Sequence, residues 1–453
     1  MSTEAYLAKL GELIVCPGCR GDVEVIGRTI VCSKCRCKYN CVGNVPCLLP
    51  NPETDRAHWQ QMLAKVHADG CHTVSVFERE LRLPALLPLT QQRLKKQIDL
   101  TRNFLNEIDE LLVPHIGHAT HINPKLKNST FLDGMHYLFR DWGWDESEEN
   151  ARALSCLKNV CPHSLGKVLV IGSGASRLAY DIRCENLATL VVAMDVNPLL
   201  MLTAEKILSG DTVVLTETRS NATELDKLSV ERKLNAPAGK VEGVIPLLAN
   251  GFAPPFKESS FDTILTPWFT DLTNDLRSFL GVVSNLLKTD GQWLHYGPLL
   301  YPNETPPAQR LSREEIYQLA EVAGFKIEKT EFHTGPYAYS PLAERGKLET
   351  AFAFSAKKKK DFKPSEQLLP SWVVLPWIPI PDFATKNDFQ HESQAFTTIM
   401  RRINGDRSIN DIAHQLKSFI DSPYDALVDS IRLCLQQCHP NYSTDKNLIT
   451  NQR

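Results

Sequence analysis

The sequence predicts an α/β protein built on a seven-stranded doubly wound sheet, with a small metal-held ribbon before it and a small helical domain after it. Three observations carry this. Between Val168 and Asp195 an apolar run enters a glycine turn, a helical segment follows, and a second apolar run ends on an acid. Further β-like runs then alternate with helical segments and close on two adjacent strands. Finally, two Cys-x2-Cys words stand within the first fifty residues.

The 453 residues leave room for roughly two to four domains and a full core. A net charge of −3 offers no global attraction for nucleic acid or an anionic membrane, so neither is expected as a partner. No apolar run approaches the roughly 18 residues of a membrane span, and the opening MSTEAYLAKLGELIV lacks a basic-then-apolar leader pattern. A soluble, cytoplasmic protein is expected. Of the 13 cysteines, seven crowd between Cys16 and Cys47, which favours a metal site in a reducing compartment over a disulfide framework.

The ribbon is read over residues 1–50. Cys16, Cys19, Cys32 and Cys35 form two knuckles flanking a short hairpin, residues 22–26 and 28–31, turned at Gly27. Four thiolates at such knuckles converge on a tetrahedron, the geometry of structural Zn2+, and a domain this small needs the metal to stay folded. Free or oxidised thiols are the alternative, and Cys37, Cys41 and Cys47 are competing ligands. The stretch resembles the short zinc-ribbon proteins that accompany methyltransferases (Trm112-like), with Lys38-Tyr39-Asn40 and Gly43-Asn44-Val45-Pro46 at the matching words. A four-thiolate site has no open position, so its expected role is structure or docking.

Residues 51–153 read as a helical lead-in. The triplet His115, His118 and His121 sweeps around a helix, and Pro114 and Gly117 argue for a loop. Near the end of the lead-in, Arg140 in the run Tyr137-Leu-Phe-Arg-Asp-Trp142 has two readings. It is an ordinary Arg–Asp pair, or a cation for a ligand carboxylate, which arginine binds bidentately.

The glycine turn opens the domain read over residues 154–360. Gly172 and Gly174 let the backbone approach a ligand, and Asp195 at the tip of the second strand can accept both hydroxyls of a ribose. Dinucleotide enzymes add a third glycine for the pyrophosphate, where this chain has Arg177. A ligand without pyrophosphate fits better, and S-adenosylmethionine (SAM) is the candidate. Residues 212–216 are read as strand three, 261–266 as strand four and 291–296 as strand five. A helix opening at Ser312 carries Glu315 in a capping box and closes at Gly324. The final hairpin, 326–333 and 349–355, is the mark of a Rossmann-like SAM methyltransferase sheet. Ligands of such sheets sit at the carboxyl ends of the strands, which adds Asn250, Gly251 and the stretch Pro267 to Asp271 as site candidates. Asn250 stands where these enzymes usually place an aspartate against the adenine amine; its amide oxygen can accept the same bond. His295 near the end of strand five is read as structural or as a local polar group.

Three words in order resemble the carnosine N-methyltransferases (the N2227-like group). These are Phe139-Arg-Asp-Trp142, strand four running to Asp271, and Gly297-Pro-Leu-Leu-Tyr301, with Leu311-Ser312, Glu315-Ile316 and Gly324-Phe325 agreeing after them. The resemblance spans roughly residues 137–357. It implies that Arg140 contacts SAM and that Asp271 contacts a substrate imidazole, with Tyr301 and His295 as further catalytic candidates. The chain departs from the family at Pro302, where the family has a histidine, and at Lys347 and Leu348, where it has tyrosines. Those positions shape the dipeptide pocket, so carnosine itself is not assigned.

Residues 361–453 form the last part. The lysine run 357–360 reads as a solvated edge, and the run 373–381 is too proline-rich for a central strand. Three helices follow, with Phe396, Ile399, Met400 and Ile403 on the first, Ser408 capping the second, and Tyr424, Leu427, Val428 and Ile431 on the third. This pattern resembles the small, winged-helix-like PqqD modules, which implies a peptide substrate or one delivered by a peptide. The leading expectation is SAM-dependent N-methylation of a histidine-type imidazole in a small peptide, a precursor peptide or a peptide-like metabolite. The alternatives are methylation of another side chain recruited by the C-terminal domain, and a non-catalytic SAM-binding scaffold. The ribbon and the C-terminal domain are the expected places for a protein partner.

Overall fold

The computed structural model describes residues 3–119, 130–144, 148–219, 221–273, 275–303, 305–344, 346–363, 373, 380 and 394–438. It divides into two compact units. The first comprises Met1–Thr270, Val282–Leu299 and Tyr317–Phe362, and the second Asp271–Gly281, Leu300–Ile316 and Lys363–Arg453.

In the first unit a short helix α1 (Thr3–Gly11) leads into four small strands, β1 (Val23–Ile26), β2 (Thr29–Cys32), β3 (Lys38–Val42) and β4 (Val45–Leu48). Two long helices follow, α2 (Pro52–Glu80) and α3 (Pro88–Ile116), then α4 (Thr130–Trp142) and α5 (Glu149–Val160). The α/β part runs β5 (Gly166–Ile171), α6 (Arg177–Cys184), β6 (Ala188–Asp195) and α7 (Pro198–Leu208), followed by β7 (Val213–Thr218), β8 (Ser229–Leu234), β9 (Val244–Ala249) and β10 (Phe261–Pro267). It ends with α8 (Leu276–Leu286), β11 (Leu287–Gly297), α9 (Arg313–Val322), β12 (Phe325–Tyr337) and β13 (Lys347–Lys358); of the two helices, only residues 282–286 and 317–322 belong to this unit.

The main sheet has the order β1-β2-β3-β4-β9-β6-β5-β10-β11-β13-β12. Its last seven strands are the predicted doubly wound sheet: β9, β6, β5, β10 and β11 are parallel, and β13 runs antiparallel beside β11. This is the Rossmann-like methyltransferase arrangement, and the strands bury their aliphatic side chains on both faces as a parallel sheet requires. The ribbon strands are continuous with it, because β4 pairs in parallel with β9 through Cys47–Leu248 and Leu48–Ala249.

Two sequence readings need correction. The segment read as strand three belongs to β7, which pairs only with β8 in a separate two-stranded sheet. The third position of the main sheet is taken by β9, all six residues of which are buried. The second concerns His115, read as loop: α3 runs through Pro114 to Ile116, and Gly117 (φ 77°) ends it. His118 follows the helix, and His121 lies outside the described residues.

In the second unit, the three C-terminal helices are α10 (Gln394–Met400), α11 (Ile409–Lys417) and α12 (Tyr424–Cys438). They close a small core of Ile399, Ile403, Ile412, Leu416, Leu427 and Ile431. Ser408 caps α11 in a box with Asp411, the hydroxyl accepting from Asp411 N at 3.2 Å. The proline-rich run lies almost wholly outside the described residues. No described helix is long and apolar enough to cross a membrane.

Candidate active site

The glycine turn is built by the geometry of β5. Its strand ends at Ile171, and the amides of Gly172 and Ser173 both donate to Met194 O at 3.0 Å, which folds the chain back toward the tip of β6. Gly172 adopts φ 71° and Gly174 φ 57°. A Cβ at Gly172 would stand 2.5 Å from Phe269 Cδ2, so both backbone and space require glycine here. At Gly174 a Cβ would come within 3.3 Å of Asp141 Oδ2 and 3.4 Å of Arg140 Nη2.

Asp195 faces this turn. Its Oδ2 accepts from Gly174 N at 3.1 Å and its Oδ1 from Asn197 N at 3.0 Å. Burial pushes its pKa up to about 6, against the pull of those backbone donors.

The end of α4 is sewn onto the same turn. Asp141 accepts from Ala175 N at 2.9 Å and, through Oδ1, from Arg140 Nε at 2.8 Å. Trp142 Nε1 donates to Ala175 O at 2.9 Å, and Arg177 reaches Asp141 O at 2.9 Å. Arg140 and Asp141 are 4% and 2% exposed, so this ion pair is shielded from solvent. The guanidinium of Arg140 also lies over the Trp268 ring, 4.1 Å from its centroid. The Arg–Asp pair is therefore present, and it holds Arg140 against Gly174.

Asn250 and Gly251 join from the end of β9. Phe269 wedges between the turns: a Cβ at Gly251 would meet it at 2.8 Å, as one at Gly172 would at 2.5 Å. Asn250 Oδ1 accepts from Phe252 N at 2.9 Å, which shapes the loop. Phe252 is 46% exposed and its ring stands 5.3 Å from that of Phe269. The result is a cradle walled by the glycine turns of β5 and β9, with Phe269 packed against Gly172 and Gly251, Asp195 at the tip of β6 and Phe252 exposed beside Phe269. Glycine turns at strand ends beside a strand-tip acid make a donor set that fits SAM, the ligand expected from the sequence.

Trp268 has φ 48°, strained for a tryptophan; its N donates to Tyr296 O at 2.8 Å, and the two rings meet edge to face. His295 is fully buried beside Phe352 and Phe354. Its Nδ1 is 2.9 Å from Thr270 Oγ1, and its Nε2 has no hydrogen-bond partner among the described residues. Burial drives its pKa down to about 3, so the ring is neutral.

Asp271 and Tyr301 belong to the second unit. Asp271 is 6% exposed, and its Oδ2 accepts from Leu300 N at 2.7 Å. Its Oδ1 is buried with no hydrogen-bond partner among the described residues, and burial raises its pKa. The Tyr301 hydroxyl donates to Leu311 O at 2.9 Å, and burial, with the Asp271 charge behind it, pushes its pKa up to about 12.

The ribbon thiols converge. Cys16 and Cys35 Sγ are 3.6 Å apart, Cys19 and Cys32 Sγ 3.5 Å, and all four lie within 4.8 Å of one another. Metal–thiolate bonds of about 2.3 Å on a tetrahedron place sulfurs at nearly this spacing. Cys37, Cys41 and Cys47 stand outside the cluster, and it is the only such group among the described residues.

Sequence reasoning named the stretch that holds Trp268 and Phe269 and paired Arg140 with Asp141, but it did not foresee the bond of Asp141 to Ala175 N, the packing of Phe269 on two glycines or the part played by Phe252. These roles rest on contacts between distant segments, which leave no local signal.

The profile of the family described as Carnosine N-methyltransferase matches residues 118–341. The carnosine N-methyltransferase of Schizosaccharomyces pombe is 25% identical over 231 residues, 43% of this chain and 61% of that protein. The enzyme of that description from Dictyostelium discoideum is 31% identical over 90 residues, 20% of this chain and 19% of its own length. The chain thus spans less than two thirds of either relative. Among solved structures, a SAM-dependent methyltransferase from Aquifex aeolicus aligns with a TM-score of 0.31 at 16% identity, over 50% of this chain and 98% of that one.

Proposed function

Residues 118–341 being carnosine N-methyltransferase-like, we propose that the protein is a SAM-dependent N-methyltransferase acting on an imidazole nitrogen of a small histidine-containing peptide or peptide-like metabolite. The observation that carries the imidazole part is Asp271, a buried carboxylate with one oxygen tied to Leu300 N and the other left without a partner among the described residues. A buried acceptor in that state costs about 1–3 kcal/mol, which a donor on a bound substrate recovers.

SAM supplies a methyl group on a sulfonium. Gly172, Gly174, Asp195, Asn250 and Gly251 bind it, and Arg140 faces its carboxylate. Asp271 holds one N–H of a neutral imidazole, which orients the opposite nitrogen for in-line attack and offsets its growing positive charge. As the methyl–sulfur bond breaks and the methyl–nitrogen bond forms, the raised affinity of Asp271 for a proton suits it to take the N–H proton. His295 stays neutral and fixes the Thr270 hydroxyl, and Tyr301 anchors the 297–301 segment through Leu311. The four ribbon cysteines hold a structural Zn2+. The division into residues 1–50, 51–153, 154–360 and 361–453, the peptide-recruiting role of the C-terminal helices and a cytoplasmic setting belong to the same reading.

Mass spectrometry of histidine, carnosine and short histidine peptides, incubated with SAM and zinc-loaded protein, tests it. A +14 Da product that disappears in Asp271→Asn, with SAM binding retained, is expected. An intact protein that binds SAM and methylates none of them sinks the imidazole assignment. Pro302, Lys347 and Leu348 then mark the altered acceptor.

A further inference from the structure

Arg20 sits inside the first metal knuckle, between Cys19 and Gly21, and adopts φ 58°, a conformation an L-residue rarely takes unless forced. The knuckle forces it: Arg20 N donates to Cys16 O at 2.9 Å, and Cys16 N donates to Gly21 O at 2.8 Å. Gly21 closes tightly on the thiols, with its missing Cβ 3.3 Å from Cys19 Sγ and 3.4 Å from Cys32 Sγ. The direction of the Arg20 side chain is therefore set by the fold of the four-cysteine knuckle.

That side chain leaves the ribbon. Its Nη1 donates to Pro254 O at 2.7 Å and its Nη2 to Phe256 O at 2.7 Å, a two-pronged grip on a segment more than 230 residues away. The ribbon supports the grip with backbone bonds from Val15 N to Pro255 O at 2.9 Å and from Lys257 N to Leu13 O at 2.8 Å. On the other side of the same loop, β4 pairs with Leu248 and Ala249 of β9. The loop between these two holds is Asn250-Gly251-Phe252, the adenine end of the cradle.

We propose that Arg20 is a positioning residue that couples occupancy of the four-cysteine cluster to SAM affinity, by holding the 250–257 loop in its binding shape. The inference rests on the reading of the cradle as a SAM site. Metal bound at the knuckle keeps Arg20 aimed at the two carbonyls; without it the knuckle relaxes and the adenine wall loosens. The ribbon then acts on the first substrate bound, not on the acceptor.

Calorimetry on the full-length protein tests this, with zinc content measured on each sample. Arg20→Ala is expected to keep its zinc and to raise the Kd for SAM about tenfold, near 1.4 kcal/mol. Arg20→Lys, which keeps the charge but cannot reach both carbonyls, should fall between the two. Its kcat at saturating SAM should stay near that of the unaltered protein while the KM for SAM rises. Asn250→Ala combined with Arg20→Ala should be less than additive, because both act through one loop. A chelated sample that stays folded should show the same loss of SAM affinity. If Arg20→Ala does not fold, the Arg20→Lys titration decides alone. A zinc-replete variant that binds SAM within twofold of the unaltered protein overturns the coupling. Failure of the unaltered, zinc-loaded protein to bind SAM overturns instead the methyltransferase reading beneath it.

Discussion

Asp195 is under opposing pressures. Burial lifts its pKa from 3.8 to about 6, so its ionisation works against the ligand-free fold. The stability held at this site is present below about pH 4 and is lost as pH rises through about 6. A ribose that donates two hydroxyls favours the carboxylate, so binding runs the other way. SAM affinity is expected to rise as pH climbs through about 6 and then to level off, with calorimetry from about pH 5 to 8 as the measurement. Asp195→Asn should bind about ten- to a hundredfold more weakly, because two bonds to a charged acceptor become bonds to a neutral one, and its profile should be flat. A profile that falls with pH would remove the ribose from this residue. The position of Asp195 was legible in the chain, because a strand-tip acid follows directly from the β-α-β pattern. Trp268 fell within the candidate stretch, but its conformation was not legible, since no local signal marks a tryptophan at φ 48° whose N donates to Tyr296 O.

At the scale of elements, the glycine turn is the least tolerant. Gly172→Ala adds a methyl 2.5 Å from a buried Phe269 ring at φ 71°, a cost of about 1–3 kcal/mol from strain and overpacking. Thermal unfolding should show a Tm lower by a few degrees, and the protection against heat that SAM is expected to give the unaltered chain should be lost in the variant. Equal protection in both would place the ligand elsewhere. Most elements could be read from period and punctuation: the hairpin around Gly27, the capping box at Ser312 and the antiparallel pair that ends the sheet. Strand three could not. β7 alternates buried and exposed residues, which resembles a strand with one wet face, and that is what it is. β9 conceals itself behind Pro246, a residue that argues against an interior strand. The proline is accommodated because β4 pairs only with Leu248 and Ala249, leaving that edge of β9 without a ladder at Pro246.

For the whole molecule, continuity of ribbon and main sheet is the governing feature. Val42, Val45, Cys47 and Leu49 of the ribbon belong to the same buried cluster as Val191, Ala193 and Leu248. Removing residues 1–50 therefore strips apolar cover from β9 and exposes a strand edge. The truncated chain is expected to aggregate or to elute as large oligomers in size-exclusion chromatography. A monodisperse, SAM-binding 51–453 fragment would show that the ribbon is dispensable to the fold. The sequence placed this ribbon as a unit of its own, because its metal words and its hairpin are local. Its edge pairing with residues two hundred positions away leaves no local trace.

That pairing also has a schedule. A ribosome adds about 5–20 residues per second, so about 10–40 s separate the appearance of Leu48 from that of its neighbour Ala249. The four cysteines of the knuckles are all made before β4 and long before β9. β4 must then wait, with its apolar residues and open edge uncovered, through the synthesis of the helices and of β5 to β8. The nascent chain is thus most exposed to chaperones and to misassociation in that interval, and it leaves it only when β9 emerges.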